Sequence, residues 1–325
     1  MKAILCNNYG PPEELEYLEV PDPIISEDQI LVQVKACSIN FPDTLIIQGK
    51  YQFKGEFPFS PGSNIAGIIL EVGSHVMDFK AGDEVIGLAT NGGLAEKIAL
   101  DPSRCILKPS GVSMEQAAAF LYTYATSYYA LKHRADLKQD ETILILGASG
   151  GVGLAAIEIA KLIGAKVIAA ASSVEKLELC KKQGADICVN YNDVDLKTKL
   201  KELTDNKGVN VILDVVGGAY AEPSLRAIAW EGKYLVVGFA SGQIPKFPLN
   251  LPLLKSCQIV GVFLGAFLNK FPIQSREMLN TLADLFSNGK LNPYIYQSFN
   301  LEDAPLALRM MMDRKALGKL VITIN

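Results

Sequence analysis

At 325 residues, the chain has room for about two domains of ~150 residues each. It is 49% hydrophobic and 20% charged with a net charge of −4. That is the balance of a globular protein, and it leaves no cationic excess for a polyanion. Basic residues form short clusters, as at 197–201, and no continuous stripe. The longest uncharged stretch, residues 116–131, is too short and too rich in Tyr, Thr and Ser to span a bilayer. The first residues lack the apolar run of a signal peptide. The six cysteines form no CxxC pair and read as buried thiols. A cytoplasmic protein with no membrane and no nucleic-acid partner is expected.

Residues 1–110 alternate apolar and polar positions in short runs broken by Pro and Gly, as at 31–36, 66–73 and 83–88. This predicts a β-rich domain with many turns. Ser113 with Gln116 three residues later fits a capping box, so a helix is expected from there to about Arg134. From 141 onward strand and helix signals alternate. Strands are predicted at 142–146, 166–170, 187–189, 209–214, 233–238 and 258–263, with helices near 152–163, 174–183, 194–204, 219–227 and 249–255. Such alternation predicts a parallel sheet covered on both faces. The tail reads as a helix at 274–287, a strand at 294–299, a helix through Met312 and a final strand from Lys319 that returns to the first domain. The predicted boundaries are 1–122, 123–264 and 265–325.

The strongest local signal begins after the run 142–146. Gly147, Gly150 and Gly153 are spaced three apart, with Ser149, Gly151 and Val152 between them, and good helix formers follow. A strand, a glycine turn and a helix N-terminus in this order receive a pyrophosphate. Glycine lets the backbone approach the anion, and the unpaired amides of the first helical turn hold it. The next strand selects the dinucleotide. A free ribose 2′-OH calls for an Asp or Glu at its end. Here the strand ends in Ser172 and Ser173, with Lys176 just beyond. Hydroxyls and a cation suit a 2′-phosphate, so NADPH is expected. The other reading is that Ser172, Ser173 and Lys176 only open a solvated helix.

There are only two histidines, His75 and His133. A three-histidine zinc site is therefore impossible. His75 lies in a turn and His133 in a basic helix end, and both read as structural.

The chain resembles the zinc-independent quinone oxidoreductases of the medium-chain dehydrogenase/reductase superfamily. The resemblance spans the whole length. It rests on the segment from Ala36 to Tyr51, on that from Pro58 to Gly67, and on the glycine turn. It implies an α/β protein in which a GroES-like β-rich catalytic domain, built from both chain ends, accompanies a Rossmann doubly wound parallel sheet. In zinc-dependent alcohol dehydrogenase relatives a cysteine ligand stands at the place of Asn40. A Gly-His-Glu follows where this chain has Gly62, Ser63 and Asn64. A carboxamide and a hydroxyl are poor zinc ligands, so no metal is expected.

The resemblance also implies that Asn40, Asp43 and Tyr51 line the active-site cleft. Tyr51 would offer a phenol to the substrate carbonyl and Asn40 a donor to a developing oxyanion. Asp43 would orient its neighbours; its plainer reading is a turn or helix cap. Thr126 matches the residue beside the nicotinamide. Nearby, Leu121 and Tyr122 depart from the usual Pro-Val pair, which alters the expected pocket wall. Lys176, Tyr191 and Arg314 match positions that clamp the 2′-phosphate. Gly238, Phe239 and Phe263, at strand ends, would meet the ribose and carboxamide.

Without a metal or an evident acid–base pair, the chemistry rests with the cofactor. Conjugated acceptors suit such a site, because a reduced quinone or enolate needs only modest stabilisation. The expected activity is NADPH-dependent reduction of a quinone. An alternative is an enone or enoyl-thioester reductase on the same scaffold. One of a different class is a sensor or RNA-binding protein that holds NADPH without turnover. The resemblance further implies a homodimer.

Overall fold

A computed structural model describes residues 1–325. It divides into two compact units, Met1–Tyr122 with Pro272–Asn325, and Thr123–Phe271.

The first unit is built around the strand Ile30–Ile39, whose alternating run puts Ile30, Val32, Val34 and Ala36 in the core. It pairs antiparallel with Asn64–Val72, Lys97–Leu100 and Lys319–Thr323. The sheet extends through Glu84–Leu88 to Cys105–Leu107 on one side and to Ile295–Asn300 on the other. The last strand of the chain therefore lies in the sheet of the first domain. Leu320 stands opposite Ile39 and Val321 opposite Ser38, which brings Lys319 level with Asn40. The strand Ile30–Ile39 ends at Asn40, and Pro42 in the first turn favours the short helix Phe41–Ile46 that follows.

The second unit holds six parallel strands. Their spatial order is Ile187–Asn190, Lys166–Ala171, Thr142–Leu146, Val209–Asp214, Ile228–Val236 and Gln258–Gly261. This is the doubly wound order that the resemblance implies, and its parallel strands are those that the strand–helix alternation predicts. The strand order reverses between Thr142–Leu146 and Val209–Asp214, and ligands of such sheets bind beyond the strand ends there. The strands read as nearly unbroken apolar runs because helices cover both faces; Ile143 through Leu146 are wholly buried.

Local differences from the sequence reading have simple causes. Ser113 and Gln116 do exchange hydrogen bonds at 3.2 Å, but the α-helix Met114–Tyr128 widens to a π-helical segment at Tyr129–Arg134. The predicted strand 258–263 stops at Gly261. The Val262 N–H still reaches the Val236 carbonyl at 2.9 Å, and Phe263 instead opens the helix Leu264–Lys270. Phe267 in that helix stacks on Tyr129 with ring centroids 4.3 Å apart. Residues 265–271 thus stay with the second unit, where the sequence reading placed them with the tail. No helix is long and apolar enough to cross a membrane.

Candidate active site

In the second unit the turn after Thr142–Leu146 is tight. Gly147 takes a φ of 72°, a left-handed conformation that glycine adopts without strain. The Gly147 and Ala148 N–H groups both donate to the Ala170 carbonyl at 3.1 Å, which ties the turn to the neighbouring strand. Gly150, extended, precedes the helix Gly151–Ile163. The N–H groups of Gly151, Val152 and Gly153 in its first turn have no intrahelical acceptor, as at any helix start. A Cβ on Gly153 would lie 2.5 Å from the Gly147 and Ala148 carbonyl oxygens, so only glycine lets helix and turn pack this closely. Ser149 is buried within the turn. The buried Ser127 hydroxyl donates to the Val152 carbonyl at 2.8 Å and steadies the helix start, next to buried Thr126.

At the end of Lys166–Ala171 stand Ser172 and Ser173 and no carboxylate. The Ser173 hydroxyl caps the helix Val174–Lys182 by accepting the Lys176 N–H. The Lys176 ammonium donates to the Ser172 hydroxyl at 3.2 Å. Ser173 is thus a helix cap, and Ser172 and Lys176 form a hydroxyl–cation pair. Sequence reasoning missed two further members. Asn192 donates to the Ser172 carbonyl at 3.0 Å, and the Tyr220 hydroxyl donates to Asn192 Oδ1 at 2.7 Å. Tyr191 lies against Tyr220 with ring centroids 4.0 Å apart. Asn192 lies in the turn after Ile187–Asn190 and Tyr220 in the short helical turn Gly218–Tyr220, so no local pattern announces them.

Asp214, at the end of the fourth strand in chain order, organises the opposite side of the crevice. Its Oδ1 accepts the Val216 and Gly217 N–H groups at 2.7 and 2.8 Å, and Oδ2 accepts the Tyr234 hydroxyl at 2.5 Å. Burial raises its pKa and these donors oppose the rise. Its carbonyl accepts the Gly238 N–H at 3.3 Å, which places Gly238 and then Phe239 at the strand end. Phe263 is half-exposed.

In the first unit, Asn40, Asp43 and Tyr51 are placed by the strand end and the short helix after it. Asn40 and Asp43 are buried, and Tyr51 is half-buried. Asp43 Oδ2 accepts the Asn40 backbone N–H at 2.7 Å, while Oδ1 meets no hydrogen bond of normal geometry. Burial pushes the Asp43 carboxyl up to about 6, held back chiefly by the Asn40 N–H and then by Lys319. Asp43 thus closes the capping box of the helix Phe41–Ile46 and sets a buried carboxyl near Lys319. The Tyr51 and Tyr122 phenols hydrogen-bond, and burial followed by the Asp43 charge raises the Tyr51 pKa. Tyr122, noted in the sequence only as a departure, is therefore a hydrogen-bond partner of Tyr51.

Lys319 is the member that sequence reasoning did not find. It is 3% exposed. Its ammonium donates to Asn40 Oδ1 at 2.6 Å and to the Ile39 carbonyl at 2.9 Å. The Asn40 amide nitrogen faces the Ser38 carbonyl at 3.3 Å and the Ser63 hydroxyl at 3.5 Å. The only available signal was a lone lysine opening an apolar strand. Cys37 is wholly buried, and burial, then Asp43, raises its pKa and keeps it a thiol. No group of three His, Cys, Asp or Glu side chains converges anywhere in the protein.

The chain matches two family models. Residues 26–110 match the alcohol dehydrogenase GroES-like domain, and residues 151–286 match the zinc-binding dehydrogenase family. A quinone oxidoreductase-like protein 2 homolog from Nematostella vectensis is 42% identical over 99% of this chain and 88% of its own length. The crystal structure of Escherichia coli quinone oxidoreductase complexed with NADPH superposes with a TM-score of 0.93 at 31% identity, covering 99% of this chain and 100% of that one. The CurK enoyl reductase structure gives a TM-score of 0.91 at 26% identity, covering 100% of this chain and 99% of that one.

Proposed function

We propose, for a chain that belongs to the zinc-independent quinone oxidoreductases of the medium-chain dehydrogenase/reductase superfamily, that it reduces quinones at the expense of NADPH. What carries this reading is the donor set around Asn40. It offers a carboxamide N–H and phenol O–H groups, and no trio of metal-ligating side chains converges there. Donors of that kind suit an acceptor whose reduced form is a delocalised anion.

The second unit fits the cofactor. The Gly147–Gly153 turn has the close approach and free first-turn amides that a pyrophosphate needs. Ser172 and Lys176, with Asn192 and Tyr191 beside them, offer hydroxyl and cation to a 2′-phosphate where an Asp would repel it. When bound, NADPH supplies the hydride. Asn40 donates to the acceptor oxygen as negative charge grows there, and preorganised donors of this type stabilise such charge strongly. Tyr51, oriented by Tyr122, presents a second donor and holds the proton that the product oxygen takes up. Asp43 keeps the Asn40 backbone in place. Gly238, Phe239 and Phe263 shape the ribose and carboxamide end, and Thr126 the nicotinamide side.

The likeness to the CurK enoyl reductase supports a second reading, reduction of an enone or enoyl thioester. NADPH oxidation followed with 1,4-benzoquinone, crotonyl-CoA and an alkyl vinyl ketone separates the two. Turnover with the quinone supports the first reading; turnover confined to crotonyl-CoA or the vinyl ketone replaces it with the second. Cofactor binding with no turnover of any acceptor would leave a binding protein. We further propose a cytoplasmic homodimer. Its support is a set of cysteines that are all free and the strand Gln258–Gly261, which ends the parallel sheet with Ile259 exposed. Light scattering tests the dimer.

A further inference from the structure

We infer that Lys319 is a positioning residue for this reaction, whose ammonium group fixes the Asn40 carboxamide and polarises it toward the acceptor oxygen. The inference rests on the reading of Asn40 as a donor to that oxygen.

The chemistry of the contact settles the orientation. A lysine ammonium has only donors, so the Asn40 atom 2.6 Å from it must be the carboxamide oxygen. Rotating the amide would set its NH₂ against the ammonium. The nitrogen edge is therefore aimed away from Lys319 as long as the lysine is charged. That edge is weakly committed: its bonds to the Ser38 carbonyl and Ser63 hydroxyl, at 3.3 and 3.5 Å, are long. Either long bond can be exchanged for one to an acceptor oxygen.

The same contact strengthens the gift. A cation on an amide oxygen draws electron density from the nitrogen, and hydrogen bonds in series polarise one another in a buried setting. Lys319 is itself anchored by the Ile39 carbonyl at 2.9 Å and by the pairing of its strand with Ile30–Ile39. The charged or titratable groups facing it are Asp43, on the helix Phe41–Ile46, and Cys37, on the strand Ile30–Ile39. Burial lowers the Lys319 pKa to about 8, against the pull of the Asp43 carboxylate. The ammonium is thus present at neutral pH and is lost as pH rises through that value.

The test uses the full-length protein, NADPH and 1,4-benzoquinone, with Lys319→Met, Asn40→Ala and the double variant. Methionine fills the buried volume without charge. Groups that orient metal-ligating side chains cost about 10- to 100-fold in activity when removed, and kcat of Lys319→Met should fall by a comparable factor. NADPH affinity, measured by fluorescence, should stay unchanged. The double variant should be no slower than Asn40→Ala, since the lysine acts through the asparagine. Losses that multiply in the double variant overturn the inference. An Asn40→Ala variant with unchanged kcat overturns the donor reading itself, and the inference with it.

The pH profile needs no lysine variant and decides the matter if Lys319→Met does not fold. Wild-type kcat should drop near pH 8, and Asn40→Ala should lack that drop. A drop that persists in Asn40→Ala, or is missing from wild type, overturns the inference.

Discussion

The Ala148 carbonyl oxygen stands 2.5 Å from the point a Cβ on Gly153 would occupy. Both partners of that contact are backbone, which cannot swing aside as a side chain can. Gly153→Ala should therefore push the helix Gly151–Ile163 off the turn. Overpacking of this kind costs about 1–3 kcal/mol. We expect a lower melting temperature and weaker NADPH binding together, measured by thermal denaturation and fluorescence titration. An alanine variant with native affinity would show that the turn does not hold the phosphates.

The Lys176–Ser172 pair offers charge to a 2′-phosphate and nothing comparable to a 2′-OH. Lys176→Ala should raise KM for NADPH roughly tenfold, the size of one lost charge-assisted bond of about 1.4 kcal/mol. KM for NADH should barely move. Ser172→Asp should go further and invert the preference, because a carboxylate binds the 2′-OH and repels the phosphate. Steady-state kinetics with both cofactors check this. A parallel loss for NADH would return Ser172 and Lys176 to the role of a solvated helix start.

Asp214 collects the Val216 and Gly217 N–H groups and the Tyr234 hydroxyl in the core. Tyr234→Phe removes one donor and leaves the carboxylate two. The expected cost is about 1–2 kcal/mol. Asp214→Ala strands all of those buried donors and should cost clearly more, since each unsatisfied group carries its own penalty of about 1–3 kcal/mol. Urea denaturation of the two variants gives the ranking. Equal losses would mean that the loop amides find other acceptors.

Asp43 is buried without a full set of donors, and its pKa in the folded protein is raised to about 6. The unfolded chain holds the same carboxyl near its ordinary value of 3.8. A raised folded value favours the protonated form. The stabilising contribution is complete below the unfolded value and is lost as pH rises through about 6. Asp43→Asn keeps an acceptor and removes the titration. The stability of the wild type relative to Asp43→Asn should therefore fall between about pH 4 and pH 6 and be level just above. Denaturant melts of both proteins across that window measure the difference. A constant difference would show that the carboxyl titrates normally.

Tyr51 shares a hydrogen bond with Tyr122. Tyr51→Phe removes the phenol proposed to meet the product oxygen, so kcat should fall while NADPH binding holds. General acid–base groups are worth about 10²–10⁴-fold, and a loss toward the lower end is expected because Asn40 remains. Tyr122→Phe leaves that phenol in place and should cost less. Stopped-flow reduction of the quinone ranks them, and a larger loss for Tyr122→Phe would exchange their roles.

Much of this protein is legible in its amino-acid sequence. The glycine turn announced itself because backbone approach to an anion demands residues without Cβ at fixed local spacing. The parallel sheet was legible because strand and helix signals alternate along the chain, and a crossover helix brings each strand back parallel to the last. The serines that replace an acid after the second strand of that sheet lie within a few residues of one another. The helix Leu264–Lys270 was missed because its apolar run reads equally well as a continuing strand, and the packing of Phe267 on Tyr129 decided between them.

What the amino-acid order determined alone was thus everything written in short spacings: the turn, the strand–helix alternation, the caps, and the neutral residues at positions 40 and 63. Only the tertiary structure decided which distant groups converge on them. Lys319 reaches Asn40 across 279 positions of sequence, Tyr234 finds Asp214, and Tyr122 meets Tyr51. The cause is physical. A local pattern reflects constraints on neighbouring dihedral angles and faces. A buried polar contact depends on strand register and on the donors left over when the sheet closes, and neither is visible within a window of residues.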